Sequence, residues 1–320
     1  MTRQMGEGTP QLVVVGAAAR DIDESDPRGW RLGGGVSYGA LLAGRMGARV
    51  GALIGLDPAA RQADELELLA RAGVEVRTVA LSRGPIFENR ETPAGRRQTC
   101  AGLSDPIEPS ALPSDWRGAP AFLLAPVADE LDDRWAASVP SEAFVGLAWQ
   151  GLLRRLEPGA VVVPRPVLPR PLFARADLGG VSREDLRAGG AALGELVPVV
   201  GRELAITAGE RGALLLRRRH EGFSVRRVPA VPARRIGDLV GAGDSFLTTL
   251  LVACLEDGPF GSGRVPVGRA LQLAALVATL GIERVGLAGL PDAAQLEERL
   301  RDRLDERLAS SAPDRDAGRI

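Results

Sequence analysis

Lysine is absent from this sequence: its 40 basic residues are all arginine. That excludes a Walker A lysine, the strand lysine of protein kinases and a Schiff-base lysine. Histidine occurs once, at His220, and cysteine twice, at Cys100 and Cys254. Neither a multi-histidine nor a cysteine-rich zinc site can be built from that set. An excess of charge of one sign is lacking too. The 40 basic and 41 acidic residues leave a net charge of −1, so there is no basic field for nucleic acid or an anionic membrane surface. No apolar run reaches the roughly 18 residues of a membrane span. The polar stretch Met1 to Pro10 holds no apolar signal core. The expected setting is a reducing cytoplasm, with both cysteines as buried free thiols. The all-arginine usage is read as genome composition and not as function.

What is present suits one large α/β domain. The chain has 320 residues and 45% hydrophobic content, enough for a substantial core. A continuous apolar run, of the kind that forms a strand covered on both faces, occurs at 12–15; strands are also read at 49–54 and 74–80, and apolar strands resume at 121–125, 144–147, 161–163, 197–200, 205–207 and 213–216. Helical patterns fall at 37–46, 59–72, 129–137, 182–193, 244–255, 267–280 and 292–308, several of them stopped by glycine. This alternation predicts a doubly wound, mostly parallel central sheet with helices on both faces. Residues 83–105 alternate polar and apolar and read as an exposed hairpin. The proline-rich stretch 158–171 reads as a surface loop. The domain is expected to span 11–308, with flexible termini at 1–10 and 309–320.

The segment richest in chemistry is Ile236-Gly-Asp-Leu-Val-Gly-Ala-Gly-Asp-Ser-Phe246, which leads directly into a helical run. Gly241 and Gly243 permit a tight turn. Their amides and that of Ala242 would then face outward at a helix start, where free N–H groups and the helix dipole bind anions. Asp244 in that turn has two readings. It could simply cap the helix, or it could take the proton from a hydroxyl that attacks a phosphate held by the turn.

Gly241-Ala-Gly-Asp244, with Asp238 six residues earlier, resembles the C-terminal signature of the ribokinase/PfkB carbohydrate kinases. Thr207-Ala-Gly-Glu-Arg-Gly212 is similar to that family's nucleotide-side turn, Gly33-Gly-Gly35 to its substrate motif, and Gly286 with Leu290-Pro291 to its adenine-side turn. Phe87-Glu-Asn-Arg-Glu-Thr-Pro-Ala-Gly-Arg-Arg-Gln98 and Gln150-Gly-Leu-Leu-Arg154 resemble a bacterial, loosely myo-inositol kinase-like branch. The resemblance spans roughly residues 11 to 305. It implies a ribokinase-like fold with a small β lid, here from about 20–35 and 75–105, that often makes dimer contacts. It implies ATP and Mg²⁺ as cofactors, with K⁺ left open, and a small sugar, polyol or nucleoside as acceptor. Asp244 would be the catalytic base, and Gly241, Ala242 and Gly243 would hold the charge on the transferred group. Thr207, Gly209 and Gly212 would border ATP. Asp21, Gly34 and Gly35 would contact substrate hydroxyls, and Asp238 would sit near a metal or monovalent-cation site.

Two departures stand out. Tyr38 occupies the place of the family's sugar-binding asparagine, and only one asparagine, Asn89, exists in the chain. The family's Asn-x-x-Glu metal motif is here Ser182-Arg-Glu-Asp185. These losses keep a second reading open, a protein that binds sugar or nucleotide without turnover. Arg154 is either a phosphate clamp or a solvated arginine. Trp30, in the expected lid, either packs or touches substrate. A rival motif, Gly35-Val-Ser-Tyr-Gly39, fits the nucleophile elbow of hydrolases with Ser37 as nucleophile. It lacks a buried strand before it, and its only histidine lies in a charged hairpin tip. A dinucleotide site is disfavoured because Gly16 is followed by alanines.

Overall fold

The computed structural model describes residues 8–92, 95–255, 257–259, 261–262 and 265–311. In chain order its elements are β1 (Leu12–Ala17), β2 (Ala19–Ile22), β3 (Trp30–Gly33), α1 (Gly35–Arg45), β4 (Val50–Leu56), α2 (Glu65–Arg71), β5 (Glu75–Ala80), β6 (Ile86–Thr92), β7 (Gly95–Gly102), β8 (Ala121–Leu124) and α3 (Trp135–Ser138). There follow β9 (Phe144–Ala148), β10 (Arg154–Arg155), β11 (Ala160–Val161), β12 (Val163–Pro164), α4 (Pro171–Arg175), β13 (Leu178–Ser182), α5 (Arg183–Ala188), β14 (Glu203–Thr207), β15 (Ala213–Arg218), β16 (Phe223–Val228), α6 (Ala242–Val252), α7 (Val267–Ile282) and α8 (Ala293–Ser311).

Nine strands form the central sheet in the order β16-β15-β14-β13-β9-β8-β1-β4-β5. The pairs from β14 to β5 are parallel; β15 and β16 close one edge antiparallel. Alternate residues of one strand feed opposite faces. Leu12 and Val14 of β1 join the core beneath α1, α6 and α7, whereas Val13 and Val15 join the core holding Trp116, Trp135, Trp149 and Phe173. Both faces are therefore dry, which explains the unbroken apolar runs. Cys100 is a buried thiol, and Cys254 is partly exposed.

A second, five-stranded sheet in the order β11-β7-β6-β2-β3 lies apart from the central one and forms the expected small β layer. Its range differs from the expected one. Glu75–Ala80 pairs with β4 as an edge strand of the central sheet, and Ala160–Val161 joins the small sheet beside β7. The small sheet is fastened to the body. Arg20 on β2 donates from Nε (3.0 Å) and Nη2 (2.8 Å) to Asp57 Oδ2, beyond the end of β4. Arg28 forks onto both oxygens of Glu65 on α2 at 2.8 and 2.7 Å. Trp30 lies against both guanidinium groups, 5.6 Å from Arg20 and 4.6 Å from Arg28.

Several elements differ from expectation. Residues 197–200 are irregular and not a strand, with Val199 and Val200 buried, because β13 and β14 already pair directly beside each other. The helix expected over 129–137 is limited to Trp135–Ser138, and the one over 59–72 is broken into a 3-10 turn at Ala60–Gln62 and α2. Of the expected flexible termini, 1–7 and 312–320 lie outside the described residues. Pro10, however, is buried, and α8 continues to Ser311.

One buried carboxylate braces the floor of the site. Glu130, 2% exposed, accepts hydrogen bonds from the amides of Ala17 (2.9 Å), Val127 (3.0 Å) and Ala128 (2.7 Å), tying the end of β1 to the loop after β8. Glu130→Ala leaves those donors unpaired at roughly 1–3 kcal/mol each. A large drop in the denaturant midpoint is expected; an unchanged midpoint would show that water replaces the carboxylate without loss.

Candidate active site

Helix α6 begins from Gly241, whose φ of 78° places it in the left-handed region. No side chain caps this helix start, so Asp244 is not the ordinary helix cap that its sequence position allowed. The ring of Tyr38, from α1, lies directly against Gly241, where a Cβ would overlap it. Over Gly243 the space is open: a Cβ there would meet nothing within 4 Å. The first helical bond runs from Ser245 N to Gly241 O at 2.8 Å. Ahead of it the Ala242 amide makes only a long 3.5 Å contact to Leu239 O, and the turn lies at the positive end of the helix dipole. Gly241, Ala242 and Gly243 thus form an open turn suited to a phosphate.

Asp244 stands over the other glycine motif. A Cβ on Gly35 would lie 3.0 Å from Asp244 Oδ1, so the carboxyl covers the first residue of α1. Burial pushes the Asp244 carboxyl up from 3.8 to about 6, and the Arg154 guanidinium partly opposes that rise. Part of the residue still reaches the surface, but protein surrounds its carboxyl. Arg154 Cζ lies 6.0 Å from the Phe87 ring centroid, which sets this arginine between the small sheet and Asp244.

The residues expected on the acceptor side converge on the same place. Gly34, at φ 90°, is squeezed against the β1–β2 junction, where a Cβ would come 2.8 Å from Ala17 O and 2.9 Å from Ala19 N. Asp21 pairs across β2–β3 with Arg31, and its carboxylate lies over Gly33. Asn89 Nδ2 donates to Asp21 Oδ1 at 3.3 Å, and Gln98 Nε2 donates to Asn89 Oδ1 at 2.8 Å. The Tyr38 hydroxyl is pushed far up, first by burial and then by the charges of Asp238, Asp21 and Asp244. Those carboxylates therefore surround one ring.

On the opposite side, Thr207 ends β14 and Gly209 follows at φ 55° with open space around it. Gly212, at φ 79°, is wedged against the 228–230 backbone, with a Cβ only 2.7 Å from Ala230 N. That segment leads into the turn before α6. Asp238 Oδ1 accepts from Val240 N at 2.9 Å. Its Oδ2 faces Gly286 N and Arg31 Nη1, both at 3.4 Å. The cation beside Asp238 is thus Arg31, and the carboxylate is already occupied. Among the described residues no group of three or more His, Cys, Asp or Glu side chains is arranged to hold a metal. Ser182 and Asp185 use their polar groups on one another: Ser182 Oγ accepts from Asp185 N at 2.9 Å and donates to Asp185 Oδ2 at 2.7 Å.

Asp21, Gly34, Gly35, Asp238 and the 241–244 turn are brought together; Thr207, Gly209 and Gly212 lie at the end of β14 and in the turn after it. Tyr38 stands where the resembled family has a ligand asparagine. The structure buries it under Gly241, at 4% exposure, as the floor of the turn. Arg31, and Asn89 and Gln98 that link onto the expected Asp21, were not singled out as site residues. Their only sequence signal was position on an alternating hairpin, which does not reveal the partner strand. Ser37 is fully buried within α1 and His220 is exposed on the β15–β16 turn, so no nucleophile–histidine pair exists.

Residues 175–293 match the model of the pfkB family carbohydrate kinases. No curated protein sequence matches the chain. Among solved structures, a pyrophosphate-dependent kinase of the ribokinase family, complexed with a pyrophosphate analogue and myo-inositol, is similar with a TM-score of 0.69 and 18% identity. The match covers 90% of this chain and 99% of that one. Arabidopsis thaliana ribokinase, complexed with ribose and ATP, is similar at TM-score 0.66 and 18% identity over 92% and 99% of the two chains. Methanocaldococcus jannaschii nucleoside kinase is similar at TM-score 0.66 and 14% identity over 92% and 100%. The fold is that of ribokinase-family kinases.

Proposed function

We propose that this chain, which carries a pfkB-family carbohydrate kinase domain on a ribokinase fold, transfers the terminal phosphoryl group of ATP to a hydroxyl of a small sugar or polyol. The observation that carries this reading is a single juxtaposition. A desolvated carboxyl, Asp244, stands over Gly35 at the same helix start whose open amides can hold a phosphate.

The acceptor lies under the small sheet, with its hydroxyls on Asp21 and over the Gly34–Gly35 backbone. Asp244, as carboxylate, takes the proton from the attacking hydroxyl while the new O–P bond forms and the bond to the bridging oxygen of the donor breaks, releasing ADP. The amides of Gly241, Ala242 and Gly243 and the guanidinium of Arg154 meet the negative charge on the group in flight. Such a loose transition state needs positioning and charge neutralisation more than covalent chemistry, so lysine is dispensable. Thr207 and the open Gly209–Gly212 turn border the nucleotide. Mg²⁺, arriving with the ATP phosphates, would neutralise part of their charge; it commonly keeps several waters and needs few protein ligands.

The test is acceptor-dependent ADP formation across polyols, ketoses, deoxy-sugars and nucleosides, with the product identified by mass. Turnover supported by pyrophosphate and not by ATP overturns the donor assignment. Tight acceptor binding without any turnover overturns the enzyme reading. Within the acceptor pocket, Asn89→Ala is expected to raise the acceptor KM about tenfold with a smaller change in kcat, because it loosens Asp21 without touching the transfer step. An unchanged KM would remove the relay from recognition.

A further inference from the structure

We propose that Arg31, carried on β3 of the small sheet, is the built-in counter-cation of the Asp238 turn: it stands where a monovalent metal ion would otherwise be needed and couples seating of the small sheet to order in the 238–243 turn. This deepens the kinase reading and rests on it for the turnover measurements alone.

The geometry joins two parts of the molecule through one guanidinium. Arg31 Nε lies 2.5 Å from Asp23 Oδ2 within its own hairpin, and Nη1 lies 3.4 Å from Asp238 Oδ2 across the site. The same Asp238 oxygen faces the amide of Gly286, and a Cβ on Gly286 would sit 3.4 Å from Arg31 Nη1. Asp238 thus gathers the small sheet, the loop after α7 and its own turn onto one carboxylate. Arg31 Nε and Nη1 are buried without aligned hydrogen bonds, so the guanidinium is held there chiefly by charge. The arginine itself cannot wander, because its hairpin is pinned to the body by Arg20–Asp57 and Arg28–Glu65.

Charge explains why such a cation is needed. Asp21, Asp238 and Asp244 all act on the Tyr38 ring, and Arg31 is the cation opposing them there. Without it, the Asp238 carboxylate would stand partly desolvated beside a turn that must accept an anionic phosphate. Removing one partner of such a pair leaves the other uncompensated. Arg31 is therefore a positioning residue: it acts on the turn through Asp238.

The experiment compares wild type, Arg31→Ala and Arg31→Lys with and without K⁺, using two readouts. In the first, hydrogen exchange over residues 236–243 of the unliganded protein is expected to speed up roughly three- to tenfold in Arg31→Ala and to recover when K⁺ is added. Arg31→Lys, which keeps the charge, stays close to wild type. In the second, wild-type kcat is expected to be independent of K⁺, whereas Arg31→Ala loses kcat more than it raises the acceptor KM and regains kcat with K⁺ or guanidinium. Unaltered exchange in Arg31→Ala, or a loss in that variant that neither cation restores, overturns the proposal. So does a wild-type enzyme that needs K⁺. Exchange results are independent of turnover, so they separate failure of this inference from failure of the kinase reading.

Discussion

Asp244→Asn is expected to lower kcat by about 10²–10⁴ while leaving ATP affinity little changed, which is the range a positioned general base contributes. The substitution keeps size and shape, and Asp244 carries no helix-capping bond to lose. The effect therefore falls on proton removal. The pH dependence gives an independent signature. Burial holds the Asp244 carboxyl near 6, and in the proposed mechanism the carboxylate is the active form. In wild type kcat/KM should rise through pH 6 and level off above it; in Asp244→Asn that limb should vanish. Stability follows with the opposite sense. A carboxyl raised from 3.8 to about 6 favours the folded state in its neutral form, and that advantage is lost as pH climbs through 6. Asp244→Asn should accordingly match wild type in thermal unfolding below pH 4 and exceed it above pH 6 in the absence of ligand. Equal stability at every pH would show that the carboxyl is solvated and not the perturbed group described here.

The second large effect is expected at Gly241. An alanine there must adopt a left-handed φ, a cost of about 1–2 kcal/mol, and its Cβ overlaps the Tyr38 ring. Tyr38 is buried and cannot retreat easily, so the turn must move. A displacement of about 1 Å in a reacting site can cost roughly 10² in rate, and Gly241→Ala should lose at least that in kcat along with thermal stability. Gly243→Ala provides the contrast. Its Cβ meets nothing within 4 Å, so the fold should keep its stability, while a methyl now obstructs the approach to the helix-start amides. Unimpaired turnover in Gly243→Ala would mean that no phosphate comes to this turn.

Much of this arrangement was readable in the residues, and the exceptions have physical causes. Parallel strands buried on both faces write themselves as apolar runs, so β1, β4, β8 and β9 were legible. β13 was not, because its centre is Gly179-Gly180 and resembles a turn. The structure requires both glycines: a Cβ on Gly180 would lie 2.7 Å from Leu247 of α6, and one on Gly179 would lie 2.6 Å from Trp149 Nε1. Conversely, the apolar run at 197–200 looks like a strand because an irregular segment that buries Val199 and Val200 has the same composition. In the site, Asp244 and its glycines announced themselves by local spacing. Asn89 did not, since its role depends on β2 and β6 lying side by side in parallel, and Arg31 did not, since it meets Asp238 from far along the chain; neither long-range contact has a local signature. Tyr38 was legible as a departure from the family's asparagine, but its packing was not: its ring faces Gly241 and fills space.

The account stands on Asp244 meeting both reactants at the start of α6. The most direct measurement is a structure of the ternary complex with a non-transferable ATP analogue and the acceptor found by turnover. The expected result has the terminal phosphate on the amides of the Gly241–Gly243 turn and the acceptor hydroxyl within about 2.6–3.2 Å of the Asp244 carboxylate. A phosphate bound away from that turn, or a hydroxyl directed at another base, contradicts it.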